Sequence, residues 1–145
     1  MNRKKFVKQA AQIISRAIAF YDTARRESLF ARDGSITLAG SNAVDKTIDR
    51  SKAVNRDILE YGMQLVVDGT DCEDTKKILS NLINQEKNES SKRLKTIQKE
   101  AVLNIQEFKN SSSPRILLEI LYSYVDNEEL KDIRKIVDLE DDDLE

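Results

Sequence analysis

Phe6, Ala10, Ile13, Ala17, Tyr21 and Ala24 recur three or four positions apart, and Ile14 and Ile18 widen the same stripe. That spacing lies on one helical face, so residues 3 to about 26 are predicted to form an amphipathic helix packed on a core. Its basic start, Arg3, Lys4, Lys5 and Lys8, also fits a helix lying on a membrane surface. Residues 27–41 are mixed, with Gly34 and Gly40 as punctuation and Ser41 or Asn42 as a cap for the next helix. From 42 to 67, Val44, Ile48, Ser51, Ile58, Gly62 and Leu65 share a face, joined by Val54 and Val66, which predicts a second helix. Gly62 inside it costs about 1 kcal/mol relative to Ala, and close approach of another helix accounts for it.

The apolar run stops at Asp68-Gly69-Thr70-Asp71. Gly69 holds the place of a left-handed residue closing a helix. Thr70 and Glu73 have the spacing of a capping box, and Glu73 and Asp74 complement the positive end of the next helix. Asp68, Gly69, Thr70 and Asp71 therefore read as a structural turn. The longer register of oxygen ligands that a calcium loop needs is absent. Cys72 falls in the first turn of the following helix, in a packing or capping role. A helix start can lower a thiol pKa, but no resolving cysteine or histidine base accompanies it.

Residues 71 to about 109 are predicted to form one long helix. Leu79, Leu82 or Ile83, Leu94, Ile97, Ala101, Ile105 and Phe108 make its seam. Its middle, NQEKNESSKR, is polar and either projects from the core or hides a break. Ser111 to Pro114 is a stop and restart, with serine caps and proline at the first helical position. Residues 114–125 then form a short apolar helix through Ile116, Leu117, Ile120, Leu121 and Tyr124. Asp126 with Glu129 starts another, running to about 138. The expected fold is all-α, an elongated helical bundle of about four to five helices with one long central helix. The chain divides into a helical domain over 1–110, short helices packing on it over 111–138, and a disordered acidic tail over 139–145.

Composition supports this picture. Of 145 residues, 39% are hydrophobic and 34% charged, with four Gly and one Pro, so breakers are too few for many short strands. The 24 basic and 26 acidic residues give a net charge of −2, without the basic excess of a nucleic-acid binder. The single cysteine excludes an internal disulfide framework and fits a reducing compartment, and the lack of histidine removes the commonest general base and zinc ligand. The longest apolar stretch, ILLEILYSYV at 116–125, falls short of the roughly 20 residues of a membrane span.

Two segments carry a resemblance. ARRESLFARD, residues 24–33, looks like the "ARREGLLALE" element of the MotA/PomA family, the ion-driven stator subunits of the bacterial flagellar motor. ILEYGMQLVVDGTDCEDTKKILSNLI, residues 58–83, resembles that family's "FLRRGLQLVVDGTDPE" element and the leucine-bearing helix after it, in the same order. The resemblance implies a helical cytoplasmic domain close under the membrane, pressing on the rotor protein FliG through opposite charges. By position it implies partner-contacting roles for Arg25 and Asp33, with Arg26 and Glu27 as the adjacent charged pair. Ser28 replaces a family Gly, Arg32 an apolar residue and Cys72 a common Pro. The four membrane helices have no counterpart, so the chain is expected to be either a soluble relative that has lost its channel or an excised domain with a different C-terminus, and the opening at Met1 and the acidic tail favour the soluble relative.

The expected function is a non-catalytic interaction module, without cofactor or metal, contacting rotor or stator-associated proteins. It is expected in the cytoplasm, peripheral to the inner membrane near the flagellar base, with no nucleic-acid partner. The alternative is a self-associating helical adaptor unrelated to motility, which would use the 79–108 seam as a coiled coil between copies.

Overall fold

A computed structural model describes residues 2–26, 57–107 and 113–140, apart from the side chains of Arg25, Arg26, Leu139 and Glu140. Among the described residues there are six helices and no strand: α1 (Arg3–Arg26), α2 (Ile58–Val67), α3 (Cys72–Asn84), α4 (Glu89–Glu107), α5 (Pro114–Tyr122) and α6 (Asn127–Glu140).

The expected stripe of α1 is buried throughout, from Phe6 through Ala10, Ile13, Ile14, Ala17, Ile18 and Tyr21 to Ala24. It is covered by α4, α5 and α6, so this apolar face is occupied within the chain and is not free to lie on a membrane. Asn2 opens the helix by accepting from the Lys5 N–H at 2.8 Å.

Helix α4 is the packing partner that most of the other helices share. Ser90 to Gln106 are all at least partly buried, and α1, α2, α3 and α5 pack around them. Cross-helix contacts fix the directions. The Arg93 guanidinium lies 4.3 Å from the centre of the Phe6 ring, the Gln98 side-chain oxygen accepts from the Leu59 N–H at 2.9 Å, and the Gln106 amide donates to the Thr70 carbonyl at 2.7 Å. Arg16 of α1 pairs with Asp57 at 2.6 Å, beside the Leu59–Gln98 bond, so both α1 and α2 run the same way as α4. Cys72 sits by Glu107 and Glu86 by Lys95, so α3 runs back along α4 in the opposite sense.

The long helix expected over 71–109 is therefore two helices. Gln85 is the C-cap of α3, and the chain turns through residues 85–88. The polar run supplies the bonds that the break requires: the Asn88 side chain accepts from the Ser91 N–H at 2.9 Å, and Glu86 pairs with Lys95 at 2.9 Å. The seam residues Leu79, Ile83, Leu94, Ile97, Ala101 and Ile105 are buried in the core of the chain, Leu82 packs partly buried against it, and Phe108 lies outside the described residues.

Of the helix expected over 42–67, the described part begins at Ile58. Asp57 is extended (φ −73°, ψ 167°) and its carboxylate accepts from the Glu60 N–H at 2.9 Å, which makes it the N-cap of α2. Val44, Ile48, Ser51 and Val54 lie outside the described residues. Ser113 and Pro114 open α5 as expected, but the buried face of α5 is Leu117, Leu118, Leu121 and Tyr122, whereas Ile116 and Tyr124 are exposed. The expected start at Asp126 and Glu129 is present, and α6 runs on to Glu140, so residues 139–140 of the expected tail are helical. Among the described residues no helix is long and apolar enough to cross a membrane.

Candidate interaction site

The expected site has two parts, a charged set after α1 and the turn before α3. Arg25 and Arg26 are the last two residues of α1. Glu27 and Asp33 lie outside the described residues. Because α1 and α4 run in parallel, Arg25 and Arg26 finish α1 toward the end of α4 where Gln106 holds the turn.

The turn is a Schellman motif. Gly69 has φ +89°, its N–H donates to the Val66 carbonyl at 3.1 Å, and the Thr70 N–H donates to the Leu65 carbonyl at 3.0 Å. The next helix is capped one residue later than expected. Asp71, not Thr70, is the N-cap: its carboxylate accepts from the Asp74 N–H at 2.8 Å and its carbonyl accepts from the Thr75 N–H at 2.9 Å. Thr70 is unsuited to that role because its own N–H and carbonyl are spent on Leu65 and Gln106 while it finishes α2. The buried Thr75 hydroxyl donates to the Asp71 carbonyl at 2.9 Å, and the Gln64 amide donates to the Asp68 carboxylate at 2.7 Å. These bonds make the turn a rigid corner held by α2 and α4.

Cys72 is half-buried, and its thiol donates to Glu107 at 3.3 Å. Burial first, then the hydrogen bond to the Glu107 carboxylate and its charge, push its pKa up to about 11. The thiol is protonated at neutral pH, and the neighbouring carboxylates outweigh any lowering by the helix start. It has neither the charge state nor a base for nucleophilic work. No cluster of three or more metal-ligating side chains occurs among the described residues.

Two further charged groups organise the molecule. Arg16 bridges Asp57 at 2.6 Å and Glu60 at 3.3 Å, tying α1 to the start of α2. Arg93 makes a two-pronged pair with the buried Glu129 at 2.7 and 2.9 Å, tying α4 to α6 over the Phe6 ring. Sequence reasoning found Glu129 as a cap but not its partner, because the residues are 36 positions apart. Gln98 left a local trace: it is a polar residue one turn after Leu94 on an otherwise apolar seam.

No protein-family model, curated protein or solved structure matches the chain.

Proposed function

We propose that the chain is a non-catalytic protein–protein interaction module resembling the cytoplasmic part of flagellar stator subunits. It contacts a FliG-like rotor protein or stator-associated proteins through surface charges. One observation carries the reading, the ordered pair of segments ARRESLFARD and ILEYGMQLVVDGTDCEDTKKILSNLI. Arg25, Arg26, Glu27 and Asp33 form the contact set, and the Asp68–Asp71 turn acts as a structural corner. Exposed charges of this kind set register and encounter rate more than affinity. The module works close to the cytoplasmic face of the inner membrane without spanning it, in an elongated bundle, and uses no cofactor.

Two properties of the chain are compatible with such a role. The Asp68–Asp71 turn is tied down by backbone and amide bonds, so it can hold α2 and α3 at a fixed angle. The one described thiol is held protonated, which fits a passive surface. The test is crosslinking and pull-down of the full chain against FliG and stator subunits. Capture of a motor component, lost on Arg25→Glu and kept on Lys77→Glu at the exposed face of α3, is the expected result. Failure to capture any motor component sinks the proposal.

A further inference from the structure

Helices α1 and α2 both pack on α4, and between α1 and the start of α2 there is a cavity of about 550 Å³. That size falls in the range of roughly 300–1,000 Å³ usual for small-molecule sites. Gln9, Gln12 and Arg16 of α1 line it together with the cap residue Asp57, and Gln98 of α4 reaches it from the core. Gln98 is 6% exposed, and its side-chain oxygen is taken by the Leu59 N–H at 2.9 Å, so its amide NH2 is the half left for the cavity. Ser15, also on the wall, has a buried hydroxyl with no hydrogen-bond partner. A buried polar group left unpaired costs stability, so such a group on a cavity wall points to a ligand.

We propose that this cavity binds a neutral, polyhydroxylated molecule of sugar size. Charge selects against ions. The Arg16 guanidinium is spent on Asp57 at 2.6 Å and Glu60 at 3.3 Å, so neither an anion nor a cation finds a free counter-charge. Composition selects against apolar ligands, because Ile13 is the one apolar residue among those that line the cavity. The groups that remain are mainly carboxamides. A carboxamide offers a donor and an acceptor side by side, and so does a hydroxyl, so neighbouring hydroxyls of a sugar or cyclitol match Gln9 and Gln12 in either order. The Gln98 amide can only donate to the cavity, and takes a hydroxyl oxygen. Gln9, Gln12 and Arg16 follow one another at three- and four-residue spacing, a strip roughly 10 Å long by helix rise, which is the length of a small saccharide. No aromatic ring lines the cavity to stack on a sugar face, so binding is weak, with a Kd on the order of 1 mM. The inference does not depend on the rotor-contact reading, since no lining residue lies in either resembling segment.

Titration of the full chain with glucose and with myo-inositol, followed by NMR of the side-chain amides, tests the proposal. The NH2 signals of Gln12 and Gln98 should shift and saturate with at least one of the two, and those of Asn81 and Asn84 on the exposed face of α3 should stay in place. Gln12→Leu, at an exposed position, should weaken binding about fivefold, the worth of one hydrogen bond, with an unchanged circular-dichroism spectrum. Gln9→Leu should act in the same direction. Sodium sulfate and cyclohexanol at the same concentrations probe the anionic and the apolar alternatives, and neither should saturate these signals. Lack of saturation by both polyols up to about 0.1 M, a hundredfold above the expected Kd, overturns the proposal. Saturation by sulfate or by cyclohexanol also overturns it, since the cavity would then select another chemistry. So does polyol binding that is unchanged in both Gln9→Leu and Gln12→Leu, which would place the contact elsewhere.

Discussion

Gly62 and Gly69 sit seven residues apart and are glycine for opposite reasons. A Cβ on Gly62 would lie 2.6 and 2.9 Å from the two methyl groups of Val102 and 3.1 Å from Leu79, so its constraint is space between α2, α3 and α4. A Cβ on Gly69 would meet nothing within 4 Å, and its constraint is the backbone, at φ +89°. Gly62→Ala gains about 1 kcal/mol of helix propensity, but overpacking costs about 1–3 kcal/mol. Val102 is β-branched and buried, so it cannot swing clear cheaply. We expect a net loss of about 1 kcal/mol by urea unfolding, and a total loss for the Gly62→Ala, Val102→Ala double variant clearly smaller than the two single losses added. Gly69→Ala should cost about 1–2 kcal/mol through the left-handed backbone alone, whatever stands at 102. Strict additivity at 62 and 102 would remove the spatial explanation.

Among the elements, what was legible depended on how local the deciding interaction is. The α1 stripe is set by its own periodicity and was readable in full. The start of α5 rests on Ser113 and Pro114 side by side, and the start of α6 on Asp126 and Glu129, so both were readable from neighbouring residues. The start of α2 at Asp57 and the break at 85–88 were not. Asp57 interrupts a pattern that continues through Ile58, and its environment includes Arg16 and Gln98, about forty residues away on either side. The run at 84–93 is equally polar whether it projects from a helix or ends one. The cap of α3 is an instructive near miss: Thr70 with Glu73 and Asp71 with Asp74 both have the right spacing, and the choice is made because Thr70 is already engaged by Leu65 and Gln106. The expected consequence is that Asp71→Ala lowers thermal stability by about 1 kcal/mol, the usual value of an N-cap. Thr70→Ala should cost less, since its structural bonds come from the backbone. Equal losses would return the cap to Thr70. The charged set at Arg25 to Asp33 was reached through resemblance alone, because ordinary surface charge leaves no local signature of a partner.

At the scale of the molecule, the Arg93–Glu129 pair joins the two sides of the core. Glu129 is 7% exposed, accepts from Arg93 and from the Asp126 N–H, and so closes the start of α6 while binding it to α4. The Arg93 hydrogen bond is the main cause that holds the Glu129 carboxyl below the usual carboxylate range, against the opposing effect of burial. A depressed folded-state pKa stabilises the fold above the unfolded value of about 4.3, and that contribution fades as pH falls through the lower folded value. Acid should therefore weaken the wild type more steeply than Glu129→Gln, which keeps the shape of the cap but has no charge to lose. At neutral pH the order reverses, with Glu129→Gln the less stable, so the two stability curves converge as pH drops from 5 toward 3. Arg93→Ala leaves a buried carboxylate without its partner and should cost about 3 kcal/mol at pH 7, the lower end for breaking a buried pair because Arg93 itself is partly solvated. The contact with Phe6 adds α1 to the same joint, so loss of Arg93 should loosen α1, α4 and α6 together. Hydrogen exchange would show this as a shared drop in protection across the three helices, whereas a drop confined to α6 would show that the pair serves only as a local cap.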